Sequence, residues 1–344
     1  FITAFVVGEE VLIRIGAASD VPMGVAKGVW QGGHFIFGPT VAVGKLLGLS
    51  FEELQNSMGI AEANTNPHDM AMLSEASHMV RMHHAFCCED AINICLLAKA
   101  GVTGPHSILS GDRSHYALFN RTYKAEDDTA RRAKLTNGLG EQWMMRRTMM
   151  KPYASCKCTH TAIDGLINMM DEHKFSSADI AAIDVDECSV NWSPVCIPKE
   201  EKYNPHTVPE CQFSLPYTLA TGAITKKVFI DSYTEEARER KDVRDLMTKI
   251  SMKEDPTLPM LGCRLHITLK DGKKYDREVP FVKGHTVNNP FTEQELIDKF
   301  KKMIPYSAYK LSDQVVNSLI KSILNLEQVD DVVEVIIKPL TPGA

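Results

Sequence analysis

No stretch of this sequence approaches 18 uncharged apolar residues, so no membrane-spanning helix is expected. Nor is positive charge in excess: 38 Lys and Arg stand against 44 Asp and Glu, a net charge of -6. Nucleic acids are bound by basic faces, which argues against them as the main partner. The same balance leaves room for a small anionic substrate, because a few local cations make a positive pocket inside an acidic protein. A Gly-rich phosphate loop, an internal repeat and a low-complexity tract are all lacking, and with the first goes the usual nucleotide site. The first ten residues are interrupted by Glu9 and Glu10 and have no basic leader, so they do not read as a signal peptide. Cysteine is not scarce, but its nine copies are an odd number, and Cys87-Cys88 and Cys156-x-Cys158 are poorly spaced for disulfide staples. A reduced, cytoplasmic setting follows most simply. Cys156-x-Cys158-x-His160 invites a zinc reading, yet structural zinc sites pair such a motif with a second ligand pair, and none is evident, so no metal is expected.

What is present is ordinary globular material. With 344 residues, 44% hydrophobic and 24% charged, the chain can bury a large core and is long enough for two domains. Residues 1 to about 150 carry small and apolar side chains at helical spacing, as in Leu46, Leu47 and Leu49 followed by Leu54, Met58 and Ala61. Ser50-x-x-Glu53 is a capping box that opens a helix. Ala91 to Ala100 is apolar almost all round, which suggests a helix buried inside a bundle. Past residue 150 the texture changes. Ile180 to Val190 moves toward strand-like alternation. Asp271-Gly272 between the alternating runs 264–270 and 273–279 predicts a hairpin closed by a type I′ turn. Thr292-x-x-Glu295 opens another capped helix, Val315, Leu319, Ile320 and Ile323 stripe a further one, and Asp331 to Leu340 reads as a terminal strand. The architecture expected is mainly α with an α+β domain: a helical domain from 1–150 and 290–344, and a lid domain of 151–289 inserted between.

Two polar runs carry the chemistry. Lys151-Pro-Tyr-Ala-Ser-Cys-Lys-Cys-Thr-His160 packs cations, thiols, a phenol and an imidazole together, which structural cores do not do. Asn204-Pro-His-Thr-Val-Pro-Glu-Cys-Gln212-Phe-Ser214-Leu-Pro-Tyr217 is the second, and the pair read as the walls of one pocket. Removing a proton next to a carboxylate needs a base poised near neutrality, and cations or donors aimed at the carboxylate. His160 is the natural acid/base, with an unperturbed pKa near 6.5. Tyr217 would donate to developing charge or deliver a proton to the opposite face, while Lys151 and Lys157 would neutralise substrate carboxylates. The plainer alternatives are solvated lysines and a His160 that bonds backbone at a helix start. Ser77-His-Met-Val-Arg81-Met-His83-His84 is a second cationic cluster, with Arg81 and His83 as carboxylate binders or, alternatively, members of a polar helix face; adjacent His83 and His84 cannot share a direction on a helix.

These runs resemble the MmgE/PrpD family. Lys151-Pro-Tyr, a Cys, a basic residue, His160 and Ala162-Ile163-Asp164 are similar to its "KPYP-C-R-H-A-D" signature. Gln212-Phe-Ser-Leu-Pro-Tyr217 is similar to its second signature, and Gly284-His-Thr-Val-Asn-Asn-Pro290 to its "GHPxNP" turn. Lys45-Leu-Leu-Gly-Leu and Ala100-Gly-Val-Thr-Gly-Pro105 match two more landmarks in order. The resemblance implies a helical domain and a smaller lid with the active site in the cleft, a homodimer, no metal or nucleotide, and a small di- or tricarboxylate substrate. It marks His160, Tyr217 and Lys151 as catalytic, and Lys157, Gln212 and Ser214 with Arg81 and His83 as substrate-binding. Lys157 stands where the family usually has Arg, a point charge in place of a bidentate fork. Val80 falls at a family lysine, with Arg81 the nearest cation. The family's "G-W-H" histidine falls on Val29 or Trp30; Gly32-Gly33 would let His34 substitute if the loop shifts. A family helical segment carrying an active-site Asp and His precedes the position matched by Phe1, and those residues are not in this sequence. The readings are, in order, a cofactor-independent dehydratase of the 2-methylcitrate dehydratase type, a dicarboxylate epimerase like iminodisuccinate epimerase, and a non-catalytic member or a subunit completed by a partner chain.

Overall fold

The computed structural model describes residues 1–19, 31–65, 77–119 and 123–341. Among the described residues, the longest helices of the first part are α1 (Ile2–Ala18), α2 (Phe37–Leu46), α3 (Phe51–Ala63) and α4 (Met79–Lys99). The Ser50–Glu53 capping box forms in both directions, so the start of α3 is set by sequence alone. A core of Ile15, Phe37, Ile60, Ile94, Ala98 and Tyr116 ties these helices together. Buried Arg14 pairs with Glu10 at 2.6 Å and donates to the carbonyls of Leu135, Asn137 and Gln142. One guanidinium thereby pins to α1 the last turn of α5 (Asp128–Thr136) and the segment that follows it.

The α4 helix corrects the expectation of burial all round. Ala91, Ile94, Cys95 and Ala98 are buried, but Ile92, Leu96 and Leu97 are about half exposed. An apolar composition cannot say whether the second face is covered by the same chain.

The second part is a four-stranded sheet in the order β2-β1-β3-β4, from β1 (Ile180–Glu187), β2 (Ile250–Glu254), β3 (Cys263–Leu269) and β4 (Lys274–Val279). β1 pairs in parallel with β2 and antiparallel with β3, placing Val185 beside both Met252 and Leu265. β3 alternates as the sequence suggests: Cys263, Leu265, Ile267 and Leu269 point into the core. On that face lie α6 (His160–His173), α7 (Leu215–Thr225) and α8 (Lys241–Met247). Ile163, Leu166, Met169, Leu215 and Leu219 fill the space against the strands. The described residues are mainly α with this small mixed sheet, as expected.

The hairpin sits where Asp271-Gly272 placed it, but its turn differs. Gly272 alone takes positive φ, at 87°. Asp271 instead accepts the Lys273 N–H at 3.0 Å, and Leu269 N–H reaches Lys273 O at 2.8 Å. A local side-chain bond has displaced the two-residue type I′ turn in favour of a longer loop. The C-terminal segment also departs: after α9 (Glu293–Met303) and α10 (Asp313–Leu324), Val333–Ile337 forms a helical turn with wide hydrogen bonding, followed by a 3-10 turn, and no strand. Asp331 accepts from the amides of Val333 and Glu334, capping the turn and overriding β-branched propensity.

Gly284 packs against the start of the first polar run. Its φ is 88°, a Cβ there would lie 2.1 Å from Met150 O, and its own carbonyl accepts the Met150 N–H. Gly284→Ala is therefore expected to lower unfolding free energy by about 2 kcal/mol or more in chemical denaturation. An unchanged midpoint would mean that this turn does not seat the loop beginning at Lys151.

Candidate active site

The loop from Met150 to Thr159 runs between the two halves of the chain and enters α6 at His160. Its backbone is tied down on several sides. Ala154 N–H donates to Val228 O, and Cys156 N–H donates to Gln212 O at 2.9 Å. Lys151 and Lys157 turn their ammonium groups onto the loop's own carbonyls, Ser155 O at 3.2 Å and Met150 O at 3.0 Å. Against this loop opens a cavity of about 260 Å³, lined by Val80, Arg81, Lys151, Tyr153, Ala154, Ser155, Cys156, Gln212 and Phe213.

Among the expected site residues, the structure brings Arg81, Lys151 and Gln212 together. Arg81, from the first turn of α4, hydrogen-bonds the Gln212 side chain 131 positions away. No Asp or Glu is among the residues lining this cavity, so Arg81 and Lys151 leave it electropositive.

The other expected residues lie elsewhere. His160 is fully buried; its Nε2 donates to Ser155 O at 3.3 Å, and Nδ1 has no hydrogen-bond partner among the described residues. Burial, reinforced by the charges of Lys157 and Lys151, pushes its pKa well below the usual imidazole value, so it is held neutral. Tyr217, also fully buried, donates to Ser232 O at 2.6 Å, and burial raises its pKa to about 12. Ser214 caps α7 by accepting Tyr217 N–H and donating to Lys202 O. Lys157 is desolvated and repelled by Lys151, which lowers its pKa to about 8. His34 packs its ring on Phe35 at 4.8 Å, and Phe35 in turn stacks on His83. His83 is buried and His84 exposed, as adjacent helix positions require, although their rings touch at 3.9 Å. Val80 lines the cavity; Val29, Trp30 and the Gln31 side chain lie outside the described residues.

Two residues that sequence reasoning left off the site face this cavity with useful chemistry. Tyr153 donates to Asp164 Oδ1 at 2.5 Å, and Asp164 Oδ2 accepts the Lys283 N–H at 2.8 Å, so the phenol is held in one orientation. Its ring stands edge-on to His160 at 5.3 Å. Burial raises the Tyr153 pKa and that of Asp164. Cys156 is the second: a hydrogen bond from the Cys158 thiol, then the charges of Lys151 and Lys202, lower its pKa despite burial. The signal for Tyr153 was its place inside Lys151-Pro-Tyr, spaced to share a wall with the lysine. Among the described residues, no group of three His, Cys, Asp or Glu is placed to hold a metal ion.

The arrangement supplies cations for a bound polyanion and one oriented phenol. A sequence model of the MmgE/PrpD N-terminal domain matches residues 1–127, and one of the MmgE/PrpD C-terminal domain matches residues 153–325. Among curated proteins the chain is similar to a cis-aconitate decarboxylase of Homo sapiens, 24% identical over 304 residues, covering 86% of this chain and 59% of that protein. It is also similar to one of Aspergillus terreus, 23% identical over 319 residues, covering 88% and 63%. One of Mus musculus is 24% identical over 342 residues, covering 95% and 65%. The chain thus spans about three-fifths of the length of the first of these relatives.

The neutral His160 gives a prediction for stability. Its folded pKa is lowered, so the unfolded chain takes up a proton below about pH 6.5 that the folded chain refuses. Its stabilising contribution is present above that pH and is lost as pH falls. Denaturant titrations from pH 7.5 to 5 are expected to show stability falling by at most about 1.4 kcal/mol per pH unit from this group, with a flatter profile in His160→Gln. Parallel profiles for the two proteins would show that His160 is not held neutral.

Proposed function

Because the chain belongs to the MmgE/PrpD family, we propose that it is a cofactor-independent lyase acting on a small di- or tricarboxylate in the Arg81–Lys151 cavity. The observation that carries this reading is the pairing of Arg81 and Lys151 in a cavity whose lining has no carboxylate. A dicarboxylate there neutralises two cations that reach the surface without an acid beside them in the lining. Arg81 offers a planar fork to one carboxylate, and Lys151 a point charge to the other.

In this reading the Cys156 thiolate, which lines the cavity and whose pKa is lowered to about 7, takes the proton next to a carboxylate, and the electron pair left behind is spread onto that carboxylate as an enolate. Arg81 and Lys151 stabilise the added charge more than the ground state, which lowers the barrier. Dehydration completes the reaction by loss of β-hydroxide, which leaves as water when Tyr153 turns its one O–H proton from Asp164 to the leaving oxygen. His160 and Tyr217 stand behind the wall, His160 against the Tyr153 ring, as positioning residues. Decarboxylation is the second reading, favoured by the names of the relatives above; it proceeds through the same kind of stabilised carbanion, with carbon dioxide as the leaving fragment.

Proton NMR in D₂O with 2-methylcitrate, citrate, cis-aconitate, malate and iminodisuccinate tests the class. New vinyl resonances are expected. Deuterium exchange without a vinyl product would replace the lyase with an epimerase, and no exchange with any compound would end the catalytic reading. With an active substrate, Arg81→Ala is expected to raise KM about tenfold or more, and Tyr153→Phe to lower kcat about 100-fold with little change in KM. A larger kcat loss in His160→Ala than in Tyr153→Phe would move the acid/base role to His160.

We also propose that the chain acts as a homodimer, joined through the exposed Ile92, Leu96 and Leu97 face of α4. Sedimentation is expected to give twice the chain mass, and Leu96→Glu half of that. A monomeric parent protein would remove this interface.

A further inference from the structure

A second cavity shares Tyr153 with the first. It encloses about 510 Å³ and is lined by Pro152, Tyr153, Lys226, Lys227, Val228, Phe229, Lys283, Phe291, Glu295, Asp298, Lys299, Lys302 and Tyr306. Five lysines face two carboxylates there, an excess of three positive charges. Three of the lysines already have acids: Lys226 pairs with Asp171 at 2.8 Å, Lys227 with Asp231, and Lys283 with Glu295 at 2.8 Å. Asp298 accepts from Gln294 one turn earlier on α9. Lys299 and Lys302 make no ion pair or hydrogen bond to any described residue. Lys299 is half-buried, and burial together with the Lys151 charge lowers its pKa, so it is a cation held where an anion would relieve it.

The rest of the lining is flat and apolar. Phe229 and Tyr306 meet edge to face at 5.6 Å, and the Lys283 ammonium lies over the Phe291 ring at 5.3 Å. The space is about twice that of the Arg81–Lys151 cavity, more than a compact inorganic anion fills. Every cation in it is a lysine, a set of point charges that can be distributed around the oxygens of a tetrahedral phosphate.

From this geometry we infer a second ligand site, for a phosphate-bearing molecule with a planar ring, in which Lys299 and Lys302 take the phosphate and Phe229, Phe291 and Tyr306 cover the ring. Occupancy reaches the first cavity by two short routes. Tyr153 is a wall of both, and Asp164, which orients Tyr153, is held by the backbone of Lys283. An anion beside Lys299 also reduces the repulsion that Lys299 exerts on Lys157. The inference does not depend on the reaction proposed above.

Calorimetric titration of the full chain with adenosine diphosphate, pyrophosphate, adenosine and citrate tests it. Adenosine diphosphate is expected to bind one per chain, at least tenfold more tightly than pyrophosphate or adenosine alone. Exposed Lys302→Glu, with its melting temperature unchanged, is expected to weaken that binding roughly tenfold or more, and Arg81→Ala to leave it alone. Four results overturn the inference: no binding of adenosine diphosphate, equal affinity in Lys302→Glu, loss of binding in Arg81→Ala, or citrate bound in preference to the phosphates. The third would put the ligand in the first cavity, and the last would make the groove a polycarboxylate site. Because the readout is binding, a failed reaction assay and a failed titration are separate results.

Discussion

The fastening of the loop from Met150 to Thr159 is the constraint on which the rest of the site depends. Buried backbone must find partners, and this loop has too little regular structure to supply its own. It borrows them from Gly284, Val228 and Gln212, three segments far apart in the sequence. Each bond fixes a wall of the cavity. The Gly284 contact sets where Lys151 begins, the Val228 contact sets Tyr153, and the Gln212 contact brings the second polar run alongside the first. Ser155 O, accepting from both Lys151 and His160, couples the exposed cation to the buried imidazole.

The electrostatics follow from that fastening. Lys151 stands close enough to Lys157 and Lys299 to lower the pKa of both, on top of burial, and Asp164 is the acid that opposes this at Lys157. His160 sits behind this cluster without exposure, so a proton on it would face both desolvation and repulsion. An anion is the natural counterion of such a group. Its arrival would neutralise cations that otherwise repel one another.

Much of the fold was legible because the signals were local. Ser50–Glu53 and Thr292–Glu295 fold as capping boxes whatever surrounds them, since each residue finds its partner three positions away. β3 keeps its alternation because one face has only one place to go. Expectations failed where local and distant forces compete. Residues 331–340 are β-branched and read as a strand, but a strand needs a neighbour, and Asp331 offered a cap instead. Asp-Gly announced the hairpin but not its turn type, because the Asp271 carboxylate took the Lys273 amide. The α4 helix was apolar enough for burial on every side, and composition does not say how many sides the chain covers.

The same division runs through the site. The sequence by itself determined which chemical groups are available: the cations, phenol, thiols and imidazole of 151–160, the amide of Gln212, and the guanidinium of Arg81. Only the tertiary structure decided which of them meet. It set Arg81 on Gln212 across 131 positions, turned Tyr153 toward the cavity on the Asp164 carboxylate, and withdrew His160 and Tyr217 into the core. It also gathered five lysines from separate segments into the second cavity, a cluster that no local pattern announces. The reason is the reach of the forces involved. Composition and short-range hydrogen bonding act within a few residues and are written in the sequence. Burial and charge–charge distance are properties of packed elements, and they exist only once the chain has closed on itself.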